Sequence, residues 1–396
     1  MANIRIKCGA IEMTANGSAE LIAQERAALI DFLGQRAGDI WLEAKERRDK
    51  RLAEAAKKEN RAVNEEITAP IPVEDGMEWN VVAIYDNAGI PSIMHRFRRV
   101  TNKELFGGSD KVHPAFIIGG EVYDEIFISV YQNTMIGDKP YSLPGAKPVT
   151  NITQEDFAEL CFSKGEGWHC LTAAEWGLLA NISAKLGTLP HGNTDCGRWH
   201  GDTSEKGETV GNGGMTATGT GPVTWTHNHT ATGVHDLCGN IWEFARGMRI
   251  LDGALQVAEN NDAALPETDL SEGGTGWKPI TDNEGKPVFV SVGREKITFT
   301  TDSKIEGDYT GIPWERVNMD CESEQLKALA FYAGEPGAYC YVDSTEGEYI
   351  LVRGGFWSNG ASAGVFSSFL GIARSSAGGD FGGRSAFFKK HCNAEH

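Results

Sequence analysis

The sequence predicts an α+β, loop-rich fold preceded by an N-terminal helical arm, and three observations point to it. Glycine supplies 48 of 396 residues, beside 40% apolar and 23% charged residues, a composition that favours a compact, turn-rich domain over a helical bundle. Two amphipathic helical stretches at 152–165 and 171–187 lie among short strand-like runs, the mixture of an α+β class. A long, charged helical pattern occupies residues 18–66.

In that N-terminal segment Ile22, Leu29, Leu33, Ala37, Ile40 and Ala44 fall mostly three, four or seven apart, and the stripe then thins into EAKERRDKRLAEAAKKENRAVNEE. This is either a solvated helix or an oligomerisation arm, because too few large apolar residues remain to bury it in a monomer. TAPIPVEDG (68–76) ends it, with two prolines marking a linker. Residues 1–75 are therefore read as arm and linker and 76–396 as the domain. WNVVAIYD, SIMHRFRRV and EIFISVYQN read as strands. Thr153 is placed to cap the helix at 152–165, and Thr172 with Glu175 forms a capping box for 171–187. Residues 188–235, rich in Gly, Thr and Asn, read as a long irregular surface excursion. Residues 252–348 read as an insertion with a hairpin around PVFVSVGREKITFTT, and YILVRGGFW (349–357) as a strand.

Net charge is −18, which argues against a phosphate-tracking surface and so against nucleic acid as a partner. MANIRIKCGAIEM lacks a basic-then-apolar signal pattern and no apolar run approaches 18 residues, so membrane insertion is not expected. The eight cysteines are scattered without a CxxC pair, as buried thiols of a reducing cytoplasm would be.

The stretch FWSNGASAGVFSSFLGIARSSAGGDFGG (356–383) contains no Lys, Glu, Gln or Met, although these make up 67 of the 396 residues; at average usage about five would be expected. A flexible linker is excluded by Phe356, Trp357, Val365, Phe366, Phe369, Leu370, Ile372 and Phe381, too apolar to stay solvated at that density. Strand-like YILVRGG before it and GGRSAFFKKH after it make it a compact loop presented on a fixed scaffold.

Three blocks, in order, carry a resemblance. KGEGWHCLTAAEWGLLA, GVHDLCGNIWEF and LVRGGFW followed by GGRSAF resemble the conserved blocks of formylglycine-generating, sulfatase-modifying domains, which implies a C-type-lectin-like fold of that type. A narrower resemblance covers 79–151 as well: HPAFIIGGEVYDEIFISVYQN, YSLPG, KGEGWH, PHGN and LKALAFY resemble the variable proteins of diversity-generating retroelements, especially phage receptor-binding ones. In that family adenine-directed copying varies Asn-type codons near the 3′ end of the gene. Such codons reach Phe, Ser, Gly, Ile, Asp, Ala and others, but not Lys, Glu, Gln, Met or Trp when the third base stays a pyrimidine.

The resemblance implies a variable region at 353–387. It makes Phe356, Ser358, Asn359, Ser362, Ser367, Phe369, Gly371, Ile372, Ser376, Gly378, Gly379 and Asp380 an outward ligand-binding face, with Phe356, Phe369 and Ile372 as anchors. Gly354, Gly355, Trp357, Ala363, Gly364, Val365, Phe366, Leu370, Ala373, Arg374 and Arg384 would be framework. Gly383 departs from the family pattern, in which an aromatic commonly precedes the Arg, and is either varied or framework. The expected partner is a protein or glycan ligand on a target cell surface, the expected assembly a homo-oligomer, a trimer by the phage resemblance, and the expected location a phage virion or the bacterial cytoplasm.

Catalysis is not expected. The sulfatase-modifying activity, the alternative reading, works through cysteines in the closing block, and residues 353–387 contain none. The H-x-x-x-H-x-E spacing of iron-dependent relatives is absent too. His227, His229, His235 and Cys238 match no standard zinc spacing and read as surface histidines beside a buried cysteine. Asn240 and Glu243 supply too few oxygens for calcium, so no cofactor or metal is expected. Trp176, Trp225 and Trp242 read as core.

Overall fold

A computed structural model describes residues 2–8, 11–17, 68–70, 80–211 and 213–390. The arm expected at 18–66 lies outside the described residues. Residues 1–66 and 67–396 form two separate compact units. In the first, β1 (Ala2–Cys8) and β2 (Ile11–Gly17) pair as an antiparallel hairpin in the register Ala2↔Gly17 to Cys8↔Ile11.

The second unit is mixed and sheet-rich, with four short α-helices among the described residues. Strands β3 (Thr68–Pro70), β4 (Val81–Tyr85), β5 (Pro91–Arg98), β6 (Glu125–Ser129) and β7 (Trp168–Cys170) belong to one six-stranded sheet. The larger sheet contains β8 (Trp242–Leu251), β9 (Ala254–Ala258), β10 (Phe289–Gly293), β11 (Lys296–Thr300), β12 (Tyr309–Pro313), β13 (Tyr339–Asp343), β14 (Glu348–Gly354), β15 (Gly364–Ile372) and β16 (Phe381–Gly382). The closing strand β17 (Ser385–Phe387) returns to the first sheet between β7 and β6. Along the main path of the larger sheet the order is β12, β13, β15, β14, β8, β9, β10, β11, with the two-residue strand Asn318–Met319 at the far edge.

Helices α1 (Asn102–Phe106), α2 (Gln154–Phe162), α3 (Ala173–Leu186) and α4 (Glu324–Ala328) start where capping chemistry allows. The Thr153 hydroxyl accepts the Asp156 N–H, and Thr172 and Glu175 form the reciprocal capping box. The hairpin around PVFVSVGREKITFTT is β10 and β11, paired Phe289↔Thr300 to Gly293↔Lys296. LVRGG pairs with GNIWEF through Glu243↔Arg353 and Phe244↔Val352.

Two apolar clusters cover opposite faces of the larger sheet, as alternation along β14 requires. Leu351 joins the cluster under α3 with Trp176, Val365, Phe366 and Leu370. Ile350 and Val352 join the one under α2 with Phe157, Cys161, Trp242 and Ile372. Residues 252–348 supply β9 to β13, strands on both flanks of the β15, β14, β8 centre.

Residues 188–235 differ from the surface excursion expected of them. They are irregular, yet Asn193, Thr194, Thr216, Thr218, Trp225 and His227 are buried, because their polar groups are satisfied within the region, by Asn240 and by Leu143 O rather than by water. His227 and His235 are likewise buried and not surface histidines; His229 is half-buried. The His227 ring accepts the Val234 N–H at Nδ1, 2.8 Å, and its edge meets His95 at 5.0 Å between centroids.

Candidate functional site

The segment 356–383 is not a single loop. It contains β15, a nine-residue strand in the interior of the larger sheet between β13 and β14. Its Gly and Ser content masked the strand, but Val365, Phe366, Phe369, Leu370 and Ile372 supply the side chains that two-sided burial needs. Two irregular stretches, 356–363 and 373–380, flank this strand.

That strand corrects two of the outward-pointing residues. Ser367 is fully buried and Ile372 is 6% exposed. Ile350↔Ile372, Leu351↔Leu370 and Val352↔Phe369 are opposite pairs, so the register slips by one residue at Gly371. This bulge puts Ile372 on the same face as Phe369 and under α2, removing it from the anchors. The Ser367 hydroxyl donates to Ser362 O at 2.6 Å and so ties the loop to the strand.

The other ten retain surface. Ser358 and Gly379 are exposed; Phe356, Asn359, Ser362, Phe369, Gly371, Ser376, Gly378 and Asp380 are half-buried. Asn359 is also structural: its Oδ1 accepts the Phe356 N–H at 2.8 Å, and its carbonyl accepts the Ser362 hydroxyl at 2.7 Å. Of the framework set, Gly354, Gly355, Ala363, Gly364, Val365, Phe366, Leu370 and Arg384 are buried, Trp357 and Arg374 half-buried, and Ala373 exposed. Gly383 is buried, and a Cβ there would lie 2.8 Å from the Phe157 ring, so the position resembles framework.

The scaffold beneath is polar and fully satisfied at its centre. Arg384 Nε and Nη2 donate to Glu243 at 2.6 and 2.5 Å, and Nη1 and Nη2 reach Ser129 O and His235 O at 3.0 Å each. Gln132 Nε2 donates to Glu243 Oε1 at 3.0 Å, while Asn240 Nδ2 donates to Gln132 Oε1 at 2.7 Å. Asn240 Oδ1 then accepts from Asn193 Nδ2 and the Thr216 N–H. Glu243 and Asn240, considered above for calcium, spend their oxygens on this network. Gln132, Asn193 and Thr216 were not singled out in the sequence; the HGN and GNIWEF stretches were the available signal.

Two titrating groups adjoin this scaffold. Burial pushes Asp236 up to about 6, with Oδ2 accepting the Gly219 N–H at 2.8 Å. Burial likewise pushes Glu335 up to about 7 although it accepts the Phe366 N–H at 3.1 Å. The Cys161 and Cys340 thiols are pushed up to about 12 by burial, so neither is a thiolate near neutrality. Among the described residues no group of three or more His, Cys, Asp or Glu side chains is arranged to hold a metal ion, and no helix is long and apolar enough to cross a membrane.

Fold and site thus define a mixed α+β domain that presents two half-exposed loops and one strand on a hydrogen-bonded scaffold. Among solved structures the chain is similar to one titled "Major Tropism Determinant P3c Variant", at 12% identity and a TM-score of 0.26. It is similar also to "Major Tropism Determinant U1 Variant", at 13% identity and the same TM-score. Each match covers 74% of this chain, and the chain spans 62% of the length of each of those structures. No family model matches the chain, and no curated protein does.

Proposed function

We propose that this protein is a receptor-binding module of C-type-lectin-like, formylglycine-generating-enzyme-type architecture, whose exposed C-terminal face is diversified by a retroelement and recognises a host-cell surface ligand from a phage particle. The observation that carries the reading is the match between residue type and position. Ser358, Asn359, Ser376, Gly378, Gly379 and Asp380 all belong to the set reachable from Asn-type codons, and all keep surface in the two loops. Val365, Phe366, Leu370 and Arg384, which hold those loops, are buried. Exposed substitutions usually change stability by no more than about 0.5 kcal/mol, so such loops can vary while the scaffold stays intact.

Ser367 and Ile372 narrow the working set to ten residues, with Phe356 and Phe369 as its aromatic anchors. Assembly as a homo-oligomer, a trimer, is part of the same proposal. The DNA downstream tests it. A near-repeat of codons 353–387 differing only at adenines, beside a reverse-transcriptase gene, supports the reading; a locus with neither sinks the diversification.

A further inference from the structure

Beside the loops, the face of β12, β13 and β15 on the α2 side carries a row of aromatic rings, of which only Phe369 belongs to the binding segment. Tyr309 opposes Asp343, Gly311 opposes Tyr341, and Tyr341 is in register with Phe369. Side chains opposite one another share a face, and the rings meet: Tyr309 to Phe369 at 6.1 Å, Tyr341 to Phe369 at 5.8 Å, and Tyr339 to Tyr341 at 5.5 Å between centroids. The glycines leave room for the rings against the backbone. A Cβ at Gly311 would stand 2.1 Å from the Tyr341 ring and one at Gly371 2.4 Å from the Phe369 ring, so each ring lies across bare backbone. Tyr309 is 52% exposed, and Tyr339, Tyr341 and Phe369 are half-buried.

The charge on these three strands has one sign. Strands β12, β13 and β15 contain no Lys or Arg, while Asp343 lies within the row and Asp308 precedes Tyr309. The one cation in 356–383, Arg374, is held by Glu348 at 2.7 Å and Glu155 at 3.2 Å. Electron-rich ring faces beside carboxylates attract guanidinium and ammonium groups.

We infer that Tyr309, Tyr339 and Tyr341, from outside the diversified segment, form with Phe369 a fixed half of the binding face, and that it takes an Arg- or Lys-bearing segment of a protein partner. The inference rests on the receptor-binding reading and names the chemistry of its partner.

Hexa-arginine peptide, with hexa-citrulline and maltohexaose as uncharged controls, is titrated against the full chain and against Tyr309→Leu, Tyr341→Leu and Tyr341→Phe. The Leu variants, which lose the ring, are expected to weaken hexa-arginine binding about three- to tenfold, and the Phe variant, which keeps the aromatic face, to leave it unchanged. Equal binding by all four proteins would overturn the assignment, and so would a control that binds as tightly as hexa-arginine. Tyr309, at the sheet edge, carries the test if Tyr341→Leu loses its melting transition. A parallel Ser358→Tyr variant separates the two readings. If it alters capture of bacterial surface extract while the tyrosine variants do not, this inference fails and the receptor-binding reading stands. If neither does, that reading fails as well.

Discussion

Arg384 closes on Glu243 through two hydrogen bonds, 2.6 Å from Nε and 2.5 Å from Nη2, with both side chains fully buried. The pair joins the closing strand β17 side of the chain to the GNIWEF strand, and its remaining bonds reach Ser129 O and His235 O. Two charges taken out of water are tolerated only when paired and hydrogen-bonded, and removing one partner costs about 3–5 kcal/mol. Arg384→Met and Glu243→Gln are each expected to lose that much in urea unfolding. Because each single variant strands the other member of the pair and the double variant strands neither, the double variant should cost less than the sum of the two. Additive losses would mean the pair is not coupled as described.

Gly239 should tolerate no side chain. Its φ is +72°, in the left-handed region, and a Cβ would fall 2.0 Å from Asn193 O. The same backbone contact holds the 188–235 region to the GNIWEF strand, where Asn240 N–H donates to Asn193 O at 2.7 Å. Gly239→Ala is expected to cost about 2–4 kcal/mol, a strained backbone adding to a clash with a fixed atom. A melting temperature within a degree or two of wild type would contradict the geometry.

The buried histidines set a pH dependence. Burial pulls His95, His113 and His235 down from 6.5 to about 4 and His227 well below its ordinary value. Between pH 4 and 6.5 the unfolded chain binds protons that the folded chain refuses, so these groups make stability rise with pH. Asp236 and Glu335 act oppositely: raised to about 6 and about 7, they hold protons in the folded state and lose stability as pH climbs from their unfolded values. Four histidines outweigh two carboxylates. The melting temperature should climb from pH 4 to about 6.5 and then level or dip slightly, and His113→Gln should flatten the climb. A melting temperature that falls across that interval would refute it.

Ser358 and Ser367 are nine residues apart and should behave as opposites. Ser358→Tyr places its ring in solvent and should leave the melting temperature nearly unchanged. Ser367→Tyr forces a ring into full burial in β15 and removes the bond to Ser362 O; overpacking costs about 1–3 kcal/mol, before the lost hydrogen bond is counted. Equal effects would show that the two loops and the strand are not distinct environments.

The sequence made the capped helices legible because Thr153, Thr172 and Glu175 act locally, within four residues of what they cap. It made the β10–β11 hairpin legible by short-range alternation on either side of the Arg294–Glu295 turn. The β15 strand was hidden because Gly and Ser are poor strand formers taken alone, and the partners that pay for them, Leu351, Val352 and Tyr341, are contributed by other strands. Burial of Ile372 depended on a one-residue bulge at Gly371, which only the pairing with β14 reveals. The histidines at 227 and 235 looked exposed because their surroundings are Thr- and Gly-rich; the cover comes from His95 and Phe97 on β5 and from Tyr131, far away in sequence. Tyr339 and Tyr341 left a signal in YCYVD, alternating with buried Cys340 and Val342, but nothing local placed them beside Phe369.

The central claim, that the surviving surface of 356–383 is a tolerant binding face, is tested most directly by displaying the full chain with NNY codons at Ser358, Asn359, Ser376, Gly379 and Asp380. The fraction of clones that keep a cooperative melt is measured first, and the library is then selected against bacterial surface extract. Most clones are expected to fold with a melting temperature close to that of the parent, and selection should enrich sequences that bind targets the parent does not. Widespread unfolding, or no enrichment over the parent from a folded library, would contradict it.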